Sequence, residues 1–264
     1  MPTQSSTPHP LQVTGLSVAY QDRLALKRVD VHVPAGHTMA VIGPNGAGKS
    51  TLVKAAMELV PALTGQVSFF GTSLDAARRR VAYMPQAAEV DWDFPTTVRD
   101  VVTMGTYGRL GWFRRPGARE REAVDAALEA AGITDLAERQ ISHLSGGQKQ
   151  RAFVARTLVQ DPELYIMDEP FAGVDVASEK AITKVLTDLR AAGKTVVVVH
   201  HDLATVRSFC TWATILNQGE LVACGPLEEA FTHDNLHRAY GLTQEALGSS
   251  HPEDQTHASL GAQS

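Results

Sequence analysis

The chain has 264 residues, of which 44% are hydrophobic and 20% are charged, and its formal net charge is −5. This composition supports a sizeable buried core and excludes disorder over most of the length. The negative charge disfavours binding to a phosphate backbone, which needs clustered Lys and Arg, so we expect no nucleic-acid partner. No apolar run approaches the ~18 to 20 residues that cross a bilayer, and we expect no transmembrane segment.

The two ends of the chain are polar. Residues 1–10 and 244–264 are rich in small and polar residues, and we predict that both are disordered tails. Residues 1–10 lack the basic start, apolar stretch and cleavage site of a secretory signal, so we expect the chain to stay in the cytoplasm. The two cysteines show no metal-site spacing and are expected to be reduced. His251 and His257 lie in the tail at 244–264. We favour a tail without function over one in which these histidines bind metal weakly.

Residues 11–243 are predicted to form one folded domain. Short β-like runs at 11–20 and 29–33 come first, and residues 39–42 then lead into a glycine-rich turn. This order indicates a small antiparallel lobe beside a nucleotide-binding core.

In the second half of the domain, the sequence pattern predicts helices followed by buried strands. Residues 98–104 and 119–131 have helical periodicity, and we predict a helical subdomain over residues 87–158. The apolar, β-branched runs at 164–167 and 195–199 are typical of strands buried on both faces of a mainly parallel sheet. A helix over 178–191 separates them and ends at Gly193.

The glycine-rich turn carries the most specific motif. Residues 43–51 are Gly-Pro-Asn-Gly-Ala-Gly-Lys-Ser-Thr, which fits the phosphate-loop pattern between a predicted strand and a predicted helix. Backbone N–H groups of such a loop turn onto phosphate oxygens, helped by the positive end of the following helix. Lys49 is expected to bridge the β- and γ-phosphates of ATP, Ser50 to bind Mg²⁺, and Thr51 to contact the inner phosphates. The candidate nucleotide-binding residues in the loop are Gly43, Asn45, Gly46, Gly48, Lys49, Ser50 and Thr51.

A second motif is an apolar strand that ends in two carboxylates. Residues 164–169 are Leu-Tyr-Ile-Met-Asp-Glu. Asp168 is expected to hold Mg²⁺ through a water, and Glu169 to orient or deprotonate the attacking water. Alone, such a pair could equally cap a helix. Together with the phosphate loop it predicts a nucleoside triphosphatase.

A third motif, Leu-Ser-Gly-Gly-Gln at residues 144–148, opens a predicted helix. A serine hydroxyl and glycine N–H groups at a helix N-terminus form a second anion site. With this motif the sequence resembles the ATP-binding-cassette (ABC) family over about residues 11–241. The resemblance implies an α/β fold: a P-loop core with a mainly parallel sheet, an N-terminal antiparallel β lobe and an inserted helical subdomain.

The resemblance also implies a homodimer around two ATP molecules. In the family, the third motif of one subunit caps the γ-phosphate of ATP held by the other, so two chains form two composite sites. Those candidate residues are Ser145, Gly146, Gly147 and Gln148. Asp175 matches the aspartate that crosses the dimer interface, although the residues before it depart from the usual Ser-Ala-Leu-Asp.

Three further residues match family positions. Tyr20 resembles the aromatic residue that stacks on adenine, and the alternative is a tyrosine in the strand core. Gln86 resembles the glutamine that touches Mg²⁺ and the attacking water and relays this contact to a permease, and the alternative is a plain turn residue. His201 resembles the switch histidine that bonds the γ-phosphate, whereas the run His-His-Asp at 200–202 could alternatively suggest a metal site. The role of His200 stays open.

The predicted helical subdomain supplies the surface that permeases engage in this family. Phe94, Trp112 and Phe113 are apolar candidates for contacting a docked helix, and the alternative is that they form the subdomain's own small core. For a group of nearby arginines we favour a solvated face over a membrane or permease contact. That group is Arg109, Arg114, Arg115, Arg119 and Arg121.

Longer phrases narrow the resemblance to one kind of transporter. The runs DWDFPTTVRDVVTMG, DEPFAGVD and VVVVHHDL look like those of ATPases of manganese, zinc or iron importers. This resemblance implies integral-membrane permease subunits, a peripheral location on the cytoplasmic face of the cell membrane, and indirectly an extracytoplasmic metal-binding protein. None of these residues is expected to touch the transported ion, so they do not select one metal.

Two other functions compete with transport. A soluble cassette ATPase could act on nucleic acid or ribosomes, but the segment between Gln86 and Leu144 is too short for a long coiled coil and the chain has a single phosphate loop. A non-hydrolysing binding module is disfavoured because Lys49, Asp168, Glu169 and His201 are all present.

Overall fold

A computed structural model describes residues 8–86, 95–110 and 115–241 of the chain. The second predicted tail, with His251 and His257, lies outside the described residues, as do residues 1–7 of the first. Phe94, Trp112, Phe113 and Arg114 also lie outside them.

The structure contains two β-sheets and a set of helices that cover them. The strands are β1 (Leu11–Tyr20), β2 (Arg23–Val33), β3 (Thr38–Ile42), β4 (Thr64–Ser68), β5 (Val81–Met84), β6 (Leu164–Asp168), β7 (Thr195–Val199), β8 (Trp212–Asn217) and β9 (Glu220–Pro226). The helices are α1 (Lys49–Ala56), α2 (Leu74–Ala77), α3 (Val98–Met104), α4 (Tyr107–Leu110), α5 (Ala118–Ala130), α6 (Gly146–Leu158), α7 (Val176–Ala191), α8 (Leu203–Phe209), α9 (Leu227–Ala230) and α10 (His233–Tyr240).

The first sheet is the predicted antiparallel lobe. Its order is β2-β1-β4, and both pairings are antiparallel. Leu11, Val13, Leu16 and Val18 of β1 are buried in a core shared with β2 and α1. The polar strand β4, Thr-Gly-Gln-Val-Ser, has no buried residue, which explains why hydrophobic pattern did not predict it.

The second sheet has the order β5-β6-β7-β3-β8-β9. Its first five strands run parallel, and β9 pairs with β8 in the antiparallel direction. Every residue of β3, β6 and β7 is buried, as their continuous apolar sequences predict. Because neighbouring parallel strands end at one edge, the loops after β3, β5, β6 and β7 lie close together there.

Helices α3, α5 and α6 occupy the sequence between β5 and β6 and pack on one another. Helix α5 buries Val124, Ala127 and Leu128 on one face, which confirms its predicted periodicity. Thr97 precedes helix α3 as its N-cap, and a capping box with Asp100 satisfies the first N–H groups of the helix. The extent of a helical subdomain at residues 87–158 stays a prediction.

Helix α7 joins β6 to β7 and ends before Gly193, which adopts φ +77° as expected for a helix terminus. Cys210 and Cys224 are both free. Within the described ranges, the structure holds no helix with the length and apolar character that a bilayer crossing requires.

Candidate nucleotide-binding site

The phosphate loop lies between the buried strand β3 and helix α1. Gly48 precedes the helix with φ +100°, and a Cβ atom there would lie 2.7 Å from the carbonyl oxygen of Ala25. Only glycine fits this backbone and this spacing. Helix α1 therefore starts directly at the loop, and its first N–H groups, which have no partner within the helix, are available to an anion.

Lys49, the first residue of α1, is held against the loop. Its side chain is buried, and its Nζ donates hydrogen bonds to the carbonyl oxygens of Gly43 at 2.7 Å and Pro44 at 3.0 Å. Burial lowers the pKa of the Lys49 ammonium, and the nearby carboxylates of Glu169 and Asp168 act in the opposite direction. The lysine is thus positioned where the loop encloses an anion.

Ser50 and Asp168 meet at the end of β6. The Ser50 hydroxyl donates a hydrogen bond of 3.0 Å to Oδ1 of Asp168, which is fully buried. A hydroxyl and a carboxylate beside a phosphate-binding loop are the hard oxygen donors that Mg²⁺ prefers. The residues present therefore fit this ion.

Glu169 follows Asp168 and has an unusual backbone. Its φ of +51° lies in the left-handed region, which is rare for a residue with a side chain. Its side chain is half-buried, and Oε2 accepts a 3.0 Å hydrogen bond from Nε2 of Gln86. Gln86 is thus more than a plain turn residue, because it binds the second carboxylate of the pair.

An open cleft of about 1180 Å³ lies over the phosphate loop. Tyr20 lines it with its side chain 48% exposed, which excludes a place in the strand core. Glu169 lines the same cleft. Sequence reasoning missed several cleft residues in the β1–β2 turn, in β2 and in the β8–β9 turn, because nothing in those polar segments distinguishes them. They include Asp22, Arg23, Lys27 and Gln218.

The two histidines after β7 differ sharply in their exposure to solvent. His201 is exposed, whereas His200 is 4% exposed, and their ring centroids lie 5.1 Å apart. The His200 ring also packs on Phe171 at 4.9 Å, and burial lowers the pKa of His200 to about 4. No group of three or more potential metal ligands occurs among the described residues, so a metal site at the His-His-Asp run has no structural support.

The Ser-Gly-Gly-Gln motif lies at the N-terminus of α6 and has its own geometry. Ser145 caps the helix by accepting from the N–H of Gln148 at 3.3 Å, and Oε1 of Gln148 accepts from the N–H of Ser145 at 3.1 Å. Gly147 is buried, and a Cβ there would lie 2.7 Å from Oγ of Ser178. Asp175 caps the adjacent helix α7 by accepting from the N–H of Ser178 at 2.7 Å. We call Ser145–Gln148 with Asp175 the α6–α7 corner.

The structure thus places the predicted site residues in two sets, except for His201, which neither lines the cleft nor belongs to the α6–α7 corner. The loop residues 45–51, Tyr20 and Glu169 line one cleft, and Gln86, Asp168 and Gly43 contact residues of that set. No residue of the α6–α7 corner lines this cleft. A single chain therefore holds two separate groups of candidate nucleotide-binding residues.

Comparison with known proteins gives the class. Residues 26–172 match the family model described as ABC transporter. The chain belongs to this family, and it is an ATP-binding cassette ATPase.

Particular relatives are similar over almost the whole chain. The zinc transport system ATP-binding protein TroB of Treponema pallidum is 53% identical over 90% of this chain and 89% of its own. The manganese transport system ATP-binding protein MntB of Bacillus subtilis is 46% identical over 92% of this chain and 99% of its own. An inward-facing ABC transporter of metal-chelate type shares the fold, with a TM-score of 0.78 and 26% identity, and the match covers 89% of this chain and 90% of that one.

Proposed function

We propose that this chain is the ATPase subunit of an importer of divalent metal ions, manganese, zinc or iron. The relatives named as zinc and manganese transport system subunits support this cargo class, and they disfavour a cassette that acts on nucleic acid or ribosomes. The observation that carries the hydrolytic part is the arrangement of Ser50, Asp168, Glu169 and Gln86 beside the phosphate loop. We further propose that the chain works at the cytoplasmic face of the membrane, bound to separate permease subunits, and that an extracytoplasmic metal-binding protein delivers the ion.

In this proposal the cleft binds ATP. Tyr20 stacks on the adenine, the loop N–H groups and Lys49 hold the phosphates, and Glu169 activates water with help from Gln86. Ser50, Asp168 and Gln86 hold the Mg²⁺ ion, which neutralises phosphate charge when it is bound. His201 contacts the γ-phosphate from the end of β7.

The α6–α7 corner completes the site of a second copy. Ser145 and the N–H groups of Gly146 and Gly147 cap the γ-phosphate held by the other subunit, and Asp175 crosses the interface. Ser145 and Gly146 are exposed, as a surface that meets a partner requires. ATP then joins the two copies, and its hydrolysis releases them.

A groove next to Gln86 suits the permease. A cavity of about 310 Å³ is lined by Pro85, which precedes Gln86, by Tyr83 and Phe153, and by several arginines. They are Arg78, Arg79, Arg109 and Arg156. We infer that a permease segment with an acidic and an apolar side docks there. Arg109 then belongs to the docking surface, in contrast to the solvated face that the sequence favours.

The hydrolytic proposal is tested with Glu169→Gln. We expect this variant to keep ATP binding, to accumulate a closed dimer, and to lose turnover by ~10²-fold or more, because water activation is lost. ATPase rates and gel filtration with ATP measure both effects. Near-normal hydrolysis by the variant contradicts the role of Glu169, and a strictly monomeric ATP-bound variant contradicts the shared site.

The docking proposal is tested separately with Arg156→Glu. The charge reversal should reduce co-purification with the co-expressed permease while ATP affinity stays at the wild-type value. Lys184→Glu on the exposed face of α7 is the matched control and should leave co-purification unchanged. Equal permease recovery with both variants contradicts the groove as the docking surface.

A further inference from the structure

The backbone of Glu169 needs to be held in place. A left-handed φ of +51° is unfavourable for glutamate and persists only where surrounding contacts stabilise it. The direction of the carboxylate depends on this backbone, since φ helps to set the direction of the Cα–Cβ bond of Glu169. Contacts to the Glu169 backbone are therefore contacts that orient the carboxylate.

Three hydrogen bonds reach that backbone. The Glu169 N–H donates to the carbonyl oxygen of Val199 at 3.1 Å, and the Glu169 carbonyl accepts from the N–H of Ala172 at 3.1 Å. The third comes from a side chain: Nε2 of Gln150 donates to the same Glu169 carbonyl at 3.0 Å. It is the contact that joins Glu169 to helix α6.

Gln150 is placed for this contact and for little else. Its side chain is 1% exposed, on the buried face of α6 that also includes Gly147 and Val154. Its Oε1 atom is buried and has no hydrogen-bond partner among the described residues. Burying an amide with one end unsatisfied costs stability, so the residue is not explained by packing.

We propose that Gln150 is a positioning residue for Glu169. Its amide holds the carbonyl of Glu169 and so fixes the orientation in which the carboxylate meets the attacking water. The inference rests on the proposed function, because it assumes that Glu169 acts on water. It goes beyond that function in assigning a role to a residue that does not line the cleft.

The position of Gln150 has a consequence for the dimer. It lies in the second turn of α6, whose first turn, Ser145–Gln148, is proposed to cap the ATP of the other subunit. Through Gln150, helix α6 thus connects the proposed contact to one nucleotide with the residue that is proposed to hydrolyse the other. A shift of α6 when the dimer closes would reach Glu169 through Gln150.

The test is Gln150→Met, which keeps the length of the side chain and removes its hydrogen-bond donor. We expect kcat to fall about 10-fold while the KM for ATP changes less than about 2-fold, because orientation of the reacting groups is lost and binding is not. Asn235→Leu is the matched control: its Nδ2 donates to the carbonyl oxygen of Ala230 at 3.0 Å, away from the cleft, and wild-type kinetics are expected. Thermal unfolding of both variants verifies that they fold.

A double-mutant cycle separates positioning from a general structural effect. If Gln150 acts through the Glu169 carboxylate, Gln150→Met should cause no further loss in the Glu169→Gln background. Wild-type kcat in Gln150→Met, or an equal loss in both backgrounds, overturns the inference. If turnover collapses in Glu169→Gln but is normal in Gln150→Met, the inference about Gln150 is refuted while the proposed role of Glu169 is retained. If Gln150→Met does not fold, Gln150→Leu, an apolar and smaller side chain that also removes the donor, replaces it in the same cycle.

Discussion

The nucleotide cleft and the α6–α7 corner differ in the burial of their residues and in how the polar groups are held. In the cleft, Lys49 and Asp168 are buried charged groups held in place by neighbours, and the residues around them face a common space. In the corner, Ser145 and Gly146 are exposed and the local hydrogen bonds are satisfied within the helix caps. We therefore expect the cleft to bind a nucleotide by itself, and the corner to gain a ligand only when another surface is brought to it.

The largest effect that this difference predicts concerns Lys49. Lys49→Ala should reduce ATP affinity by at least about 100-fold, because two or more charge-assisted hydrogen bonds to phosphate are lost. Titration calorimetry with Mg-ATP measures the loss. Lys184→Ala, which removes an exposed ammonium paired with Asp188, should bind ATP normally. Micromolar affinity in Lys49→Ala contradicts the assignment of the cleft.

Ser145 tests the other region. Ser145→Ala should leave the ATP affinity of the single chain unchanged but weaken the ATP-dependent dimer, studied in the Glu169→Gln background, by about 10-fold or more, because each of two sites loses a bond to a charged phosphate. The lost helix cap also costs ~1 kcal/mol of stability. Thr232→Ala removes a similar cap, from α10, and controls for that cost. Equal dimerisation of both variants refutes the role of Ser145.

Tyr20 refines the description of the cleft. Tyr20→Ala should weaken ATP binding by ~1 to 3 kcal/mol if the ring stacks on adenine, and Tyr20→Phe should retain most of the affinity. Tyr107 is exposed to the same degree but lies outside the cleft, so Tyr107→Ala is the control. The comparison of ATP with a triphosphate that lacks a base is decisive: an equal loss for both ligands argues against stacking.

The motifs of the two regions were predictable from sequence because the function of each motif requires particular residues beside a strand or at the start of a helix. A phosphate loop must follow a buried strand and open a helix, so β3, α1 and the roles of the loop glycines followed from the spacing. The strands β6 and β7 were predicted because continuous, β-branched apolar runs of this length are typical of strands buried on both faces. The resemblance to the ABC family supplied Tyr20, Gln86, Asp175 and His201, which no local pattern singles out.

Strands with weak periodicity and contacts between residues far apart in the chain could not be predicted from the sequence. The strands β4, β8 and β9 were not predicted, since polar or half-buried strands show weak periodicity. Gln150 was missed although its place on the buried face of α6 with Gly147 and Val154 was a signal. Neither its bond to Glu169 nor the left-handed backbone of Glu169 can be inferred without the packing of α6 on the end of β6.

The smallest predicted effect concerns His200, which lies beside His201, the residue that we propose to contact the γ-phosphate. Neither of its ring nitrogens has a hydrogen-bond partner among the described residues, and it packs on Phe171. Burial, with a contribution from His201, lowers the pKa of His200 to about 4, and Asp202 and Glu179 act in the opposite direction. The folded protein therefore favours the neutral ring.

A depressed pKa of this kind makes stability depend on pH in one direction. The unfolded chain binds a proton near pH 6.5 and the folded chain only near pH 4, so the contribution is fully present above pH 6.5 and is lost as the pH falls toward 4. Between pH 7.5 and 5.5 the loss should be about 1 kcal/mol, and His200→Leu should remove it from the pH profile of urea unfolding. His233→Leu, at an exposed histidine, should keep it. An unchanged profile in His200→Leu would show that His200 binds a proton as readily in the folded protein as in the unfolded chain, which contradicts a lowered pKa in this packing environment.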